Sequence, residues 1–287
     1  MIKVKRYKLL IIIAILIAFI FFIQFESNVI EVNEITVYSD DLPLEFNGTK
    51  VSVIGDFHYG EFCSAEQVAD AVELSNSQNP DIVVLVGDYV TDNADDLDVC
   101  FEELSKLKAP LGVYAIAGNH DPFEQTVAHI RANGIYDIDN QYFTITKGSS
   151  TIFIGGSSNP RDYAPFINGN YANTVSEGDF VILSYHNPNN FPRLNNSNVD
   201  LILTGHNHGG QVNFFGYSPM VAYAIDKKHI DFSKKSRFNQ SIMESKNEKV
   251  IEVLEYYYPN GFDELETNNF FHSLLGFAIK KGLIRSK

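Results

Sequence analysis

Five short apolar runs in this 287-residue chain each stop at residues that cannot lie unpartnered inside a sheet, and nothing else in the sequence limits the fold as strongly. The run Lys50 to Gly55 stops at Asp56-Phe57-His58, and Asp81 to Val86 stops at Gly87-Asp88. Leu111 to Ala117 gives way to Gly118-Asn119-His120-Asp121, and Phe180 to Ser184 to Tyr185-His186. Asp200 to Leu203 ends in Thr204-Gly205-His206-Asn207-His208-Gly209-Gly210-Gln211. Short β-branched and aliphatic runs bounded by turn residues read as buried strands. A carboxylate or imidazole directly after such a strand is either a turn cap or a ligand. Any one of the five has an ordinary explanation as a polar turn. Together they hold five of the eight histidines, which points to one shared centre at the strand ends, where open α/β sheets place ligands.

The segments between the runs fit that architecture. Ala65 to Asn76 has helical spacing in Val68, Ala69, Val72 and Leu74, and Asn79-Pro80 closes it. A second helix is expected from Ala94 to Leu107, and a third from Pro122, a residue suited to a first helical turn, to Asn133-Gly134. Strand, loop and helix thus alternate three times, the pattern of a layered α/β fold. Further strands are expected at Glu34–Tyr38, Tyr142–Thr146, Thr151–Ile154, Gln211–Phe215 and Val250–Tyr258. The polar stretch 156–178 reads as a loop over the site, and Asn268–Arg285 as an amphipathic helix.

The amino terminus differs in character from the rest. Lys3, Lys5, Arg6 and Lys8 precede Leu9–Ile23, an apolar stretch without a polar residue or a following small-x-small cleavage site. This predicts an uncleaved single-pass transmembrane helix in the cell membrane, basic end inside and catalytic domain extracytoplasmic. The expected division is an anchor at 1–25, a connector and first strand at 26–49, a catalytic domain at 50–258 and a terminal helix at 259–287. Beyond the basic terminus, 18 basic residues face 36 acidic ones, a field that repels long polyanions and argues against bulk nucleic-acid binding. Cys63 and Cys100 are too few for a disulfide framework, and whether they pair stays open.

Carboxylates, an amide and imidazoles together suit Mn, Fe or Zn, whereas Ca prefers oxygen alone and a thiolate site needs cysteines, none of which stands at these strand ends. The ordered set Asp-x-His, Gly-Asp, Gly-Asn-His-Asp, a later lone His and Gly-His-x-His resembles the calcineurin-like metallophosphoesterases over residues 50 to 215. Its Gly-His-Asn-His-Gly-Gly-Gln ending, with the apolar amino terminus, looks most like the membrane-associated bacterial branch. The resemblance implies a four-layered α/β/β/α sandwich with two divalent or trivalent metal ions. In it, Asp56, His58 and His208 would hold one metal, Asn119, His186 and His206 the other, and Asp88 both. His120 would contact the phosphoryl oxygens or protonate the leaving group, with Asp121 orienting its ring. The implied activity is hydrolysis of phosphodiester or pyrophosphate bonds in a phosphorylated small-molecule or lipid-linked substrate, by metal-activated hydroxide. A phosphomonoesterase or protein phosphatase of the same fold, and a catalytically silent metal-binding scaffold, remain open alternatives. Two features depart from the family pattern. Thr91 stands where a second Asp often lies, with Asp92 one residue later, and residues 220–287 do not match the usual close of the membrane-associated branch.

Overall fold

The apolar runs pair into two sheets, because each is too continuously hydrophobic to leave either face in water. In the computed structural model the described residues are 2–26, 30–60, 62–158, 175–176, 178–187, 199–206, 208, 249–257 and 284–285. In chain order the strands are β1 (Glu31–Ser39), β2 (Thr49–Ile54), β3 (Ile82–Leu85), β4 (Val113–Ala115), β5 (Tyr136–Asp137), β6 (Tyr142–Lys147), β7 (Ser150–Ser157), β8 (Val181–Tyr185), β9 (Leu201–Leu203), β10 (Lys249–Tyr257) and β11 (Ile284–Arg285). The helices are α1 (Ile2–Glu26), α2 (Ala65–Ser77), α3 (Leu97–Leu104) and α4 (Phe123–Ala132). One sheet has the order β11-β1-β10-β2-β3-β4-β5, the other β6-β7-β8-β9. Strands β10, β2, β3, β4 and β5 run parallel, as do β7, β8 and β9.

Alternation along each strand sorts side chains between two cores. From β3, Ile82 and Val84 face the second sheet and meet Ile154, Ile182 and Leu201. Val83 and Leu85 face outward and pack with Val68 and Val72 of α2, Phe101 and Leu104 of α3, and Ile130 of α4. On β8, Val181, Leu183 and Tyr185 form a third apolar cluster on the far side of the smaller sheet. These are three layers of an α/β sandwich; the expected fourth layer is not seen among the described residues. Helix α2 begins where a capping box fixes it, with Ser64 Oγ accepting from Gln67 N and Ser64 N donating to the Gln67 side chain.

The expected transmembrane anchor is corrected. Helix α1 forms, but no helix among the described residues is long and apolar enough to cross a membrane. Four cations occupy its first turns, and Leu9–Ile23 rises only about 22 Å against a hydrocarbon core of ~30 Å. The expected single-pass topology, the membrane as a partner through this helix and the extracytoplasmic catalytic domain lose their basis with it. Helix α3 is shorter than expected, because Ala94–Asp96 is a separate 3-10 turn whose Asp95 N donates to the Asn93 side chain. Ile284–Arg285, the end of the expected terminal helix, pairs as a strand with β1. The rest of that helix, the strand at 211–215 and most of the loop at 156–178 lie outside the described residues.

Candidate metal centre

All five strand ends that carry ligand-type residues meet at one edge of the sandwich, and backbone hydrogen bonds tie the loops there. Asp56 N donates to Gly87 O at 2.9 Å, His58 N to Asp88 O at 3.0 Å, and Gly205 N to His186 O at 3.1 Å. His206 N donates to both Asp56 oxygens, at 2.9 and 2.8 Å, which joins the two sheets. Asp56, His58, Asp88, His206 and His208 all adopt positive φ, between 44° and 74°. Such a conformation costs an L residue roughly 1–2 kcal/mol, and it turns each side chain back over its strand end.

The side chains gather in two groups. Asp56, His58, Asp88 and His208 form one and Asp88, His186 and His206 the other, with donor atoms in each within 4.8 Å of one another. Asp88 belongs to both. His58 Nε2 lies 3.5 Å from Asp88 Oδ2 and 3.0 Å from His208 Nε2. His186 Nε2 lies 3.1 Å from Asp88 Oδ2 and 3.0 Å from Asn119 Oδ1, which adds the amide to the second group. The rings of His186 and His206 stand edge to face at 5.3 Å.

This arrangement needs positive charge. His186 Nδ1 donates to Val86 O at 2.7 Å, so in the neutral ring Nε2 carries a lone pair facing two oxygen acceptors. Asp88 Oδ1 accepts from His120 N at 2.8 Å, whereas the buried Oδ2 has no hydrogen-bond partner. His58 Nδ1 meets Thr91 Oγ1 at 3.0 Å; with Thr91 accepting, the His58 lone pair faces inward as well. A cation shared by these groups would resolve each of these contacts, and the mixed oxygen and nitrogen donor set suits Mn, Fe or Zn alike.

Without metal, a proton takes the cation's place. Burial pushes the His186 imidazole down, but the Asp88 carboxylate and the charge of Asp56 outweigh it and lift the ring to about 9. Burial pushes Asp88 up, yet His186 and the His120 amide hold it down at about 2. Burial holds His58 and His206 below the usual range. A metal ion held by His186 would need the Nε2 lone pair, so the ring's proton would leave on loading. Mn binding at pH 7 is therefore expected to release about one proton from this ring, measured by calorimetry in buffers of different ionisation enthalpy. Because the proton competes below about 9, apparent affinity should climb with pH and flatten above that value. A pH-independent affinity between about 6.5 and 8.5 would contradict this assignment.

His120 lies at the rim with its ring 5.1 Å from that of His58, and its side chain is 43% exposed, open to a ligand. Asp121 does not face that ring: its two oxygens accept backbone N–H groups of Asp88, Tyr89, Val90 and Gly118. Burial and the Asp88 charge push the Asp121 carboxyl up to about 7, against the pull of those amides. The carboxylate facing His120 is Asp92, with Oδ2 3.6 Å from Nδ1 and a φ of 55° that swings it toward the site. Thr91, against His58, and Asp92, against His120, are contacts of the candidate site that sequence reading missed. The only signal was the displaced acid four residues after Asp88 instead of three.

Known proteins share this sequence pattern. The family described as calcineurin-like phosphoesterase matches residues 49–210, more than half of the chain. YkuE of Bacillus subtilis, an uncharacterized metallophosphoesterase, is 30% identical over 72% of this chain and 74% of its own. An uncharacterized metallophosphoesterase of Aquifex aeolicus is 28% identical over 67% of this chain and 75% of its own. The phosphodiesterase YaeI of Escherichia coli is 27% identical over 63% of this chain and 68% of its own. With its two clusters of acidic and imidazole donors, the chain is a metal-dependent phosphoesterase and belongs to the calcineurin-like phosphoesterase family.

Proposed function

We propose that the chain hydrolyses phosphodiester or pyrophosphate bonds of phosphorylated substrates, with water attacking at phosphorus. Asp56, His58 and His208 would hold one cation, Asn119, His186 and His206 the other, and Asp88 would serve both. Cations bound there would supply Lewis-acid stabilisation of the phosphoryl oxygens and would lower the pKa of the attacking water toward neutrality. His120 donates to the departing oxygen, and Asp92 keeps its Nδ1 side occupied by an acceptor. The sharing of Asp88 between the two donor groups is the observation that carries this reading.

The charge around the centre favours diesters over monoesters. Among the described residues, Asp56 and Asp88 have ion pairs only with histidines, and no lysine or arginine joins them. Asp92 stands 75% exposed at the rim. A diester or a doubly substituted pyrophosphate brings one negative charge per phosphorus, whereas a monoester brings two and would need further cationic clamping here. The relative named as a phosphodiesterase agrees with this preference.

The test compares bis(p-nitrophenyl) phosphate, a dinucleoside pyrophosphate and p-nitrophenyl phosphate with the Mn-loaded chain. Diester or pyrophosphate turnover should exceed monoester turnover at least about tenfold in kcat/KM, ~1.4 kcal/mol in the barrier. Preference for the monoester would overturn the substrate class. Two bound metals without turnover on any of the three would favour the silent scaffold.

A further inference from the structure

We infer that Asp121 is a positioning residue that sets the spacing of Asp88 and Asn119, and so builds the second of the two cation positions; the inference rests on the metal-centre reading above. Its side chain is buried, and all of its acceptor contacts go to main chain. Oδ2 accepts from Asp88 N at 2.9 Å and Gly118 N at 2.7 Å. Oδ1 accepts from Tyr89 N at 2.8 Å and Val90 N at 3.2 Å. Three successive amides of the loop after β3 and one of the loop after β4 thus form an anion-binding nest, and the chain fills it with its own carboxylate.

No strand ladder takes those four N–H groups. Each would cost about 1–3 kcal/mol if left buried without an acceptor, so the two loops can sit this close only while the carboxylate is present. Two further bonds stitch the same loops on the other side of Asp88: His120 N donates to Asp88 Oδ1 at 2.8 Å, and Asp92 N to His120 O at 2.8 Å. The bridging carboxylate is therefore held from behind through its own amide by Asp121, and from the side by His120.

The effect falls unequally on the two positions. Besides Asp88, the first draws on Asp56 and His58 after β2 and His208 after β9, none of which Asp121 contacts. The second needs Asn119, which lies between Gly118, bonded to Asp121, and His120. An Asp121→Asn change leaves the shape intact, but whichever way the amide turns, its NH2 faces a pair of N–H donors. Asp121→Glu keeps the charge, while its extra methylene shifts all four contacts.

The test is Mn titration of the full chain, read as stoichiometry and stepwise affinity by calorimetry and EPR, without reference to turnover. The wild type should take two Mn. Both variants should keep the first near its wild-type affinity and bind the second at least about tenfold more weakly. A merely structural residue would weaken both positions together with the melting temperature. Two Mn at unchanged affinities in either folded variant, or an equal loss at both positions, overturns the inference. Should Asp121→Asn not fold, Asp121→Glu decides by the same reading. A wild type that takes no second Mn defeats the metal-centre reading instead, which separates the two failures.

Discussion

Replacing Asp88 with Asn is expected to lower kcat/KM by about 10³-fold or more, ~4 kcal/mol, while the fold persists. Asparagine has the same shape, and its carbonyl can still accept from His120 N as Asp88 Oδ1 does at 2.8 Å. The backbone bond from Asp88 N to Asp121 is independent of the side chain. What disappears is the negative charge shared by both donor groups and the lone pairs of the buried Oδ2, which has no hydrogen-bond partner of its own. An amide nitrogen there would turn hydrogens toward two cations, which is repulsive in a site of low polarity. The same change should lower the His186 pKa, since burial pushes that ring down and Asp88 is a main influence opposing it. Proton release on metal loading should vanish with it. The check is steady-state kinetics on the diester beside thermal melting. A variant within about tenfold of wild type would mean that Asp88 bridges nothing.

Gly118→Ala should be nearly as damaging, for a steric reason. A Cβ at position 118 would fall on the Asp88 carboxylate and backbone nitrogen, and those atoms have nowhere to go. Reciprocally, a Cβ at Gly87 would lie 2.5 Å from Gly118 N, so the two loops touch backbone to backbone. Overpacking of this kind costs about 1–3 kcal/mol, which in a chain of this size lowers the melting temperature by roughly 5 °C. The larger consequence is chemical, because Asp88 and Asn119 would be driven apart by the methyl group. Turnover is expected to fall at least about a hundredfold, since misplacement by an ångström is enough for that. Gly134→Ala, where a Cβ meets nothing within 4 Å, is a control for the added methyl group, with some cost from its φ of 71°. Equal losses in the two variants would show that the Gly118 contact has no special role.

The part of the molecule that could be read from sequence is the part where chemistry contradicts burial. Asp56, Asp88, His186 and His206 follow short, mainly apolar strands, so their placement at strand ends required no structural knowledge. The βαβ alternation, α2 and the start of α4 followed from spacing and from Pro122 in the same way. Long-range pairing was invisible. Strand β10 lies between β1 and β2, far from either in sequence, and β5 contributes only Tyr136–Asp137. Side-chain direction was invisible too. Asp121 follows His120 directly and was read as its orienter, but consecutive residues in a turn diverge, so Asp121 turns inward to the amides and Asp92 reaches the ring. The amino-terminal run shows the opposite error, in which composition was read as a membrane span although the uninterrupted stretch is short.

EPR of the Mn-loaded chain tests most directly whether two cations share Asp88. Two Mn ions that shared one carboxylate would couple magnetically. The wild type is expected to show two Mn per chain with the spectrum of a coupled pair, and Asp88→Asn to show no coupled signal. A wild type that binds Mn only as isolated ions, or an Asp88→Asn variant with the coupled spectrum intact, would contradict a dinuclear centre built on Asp88.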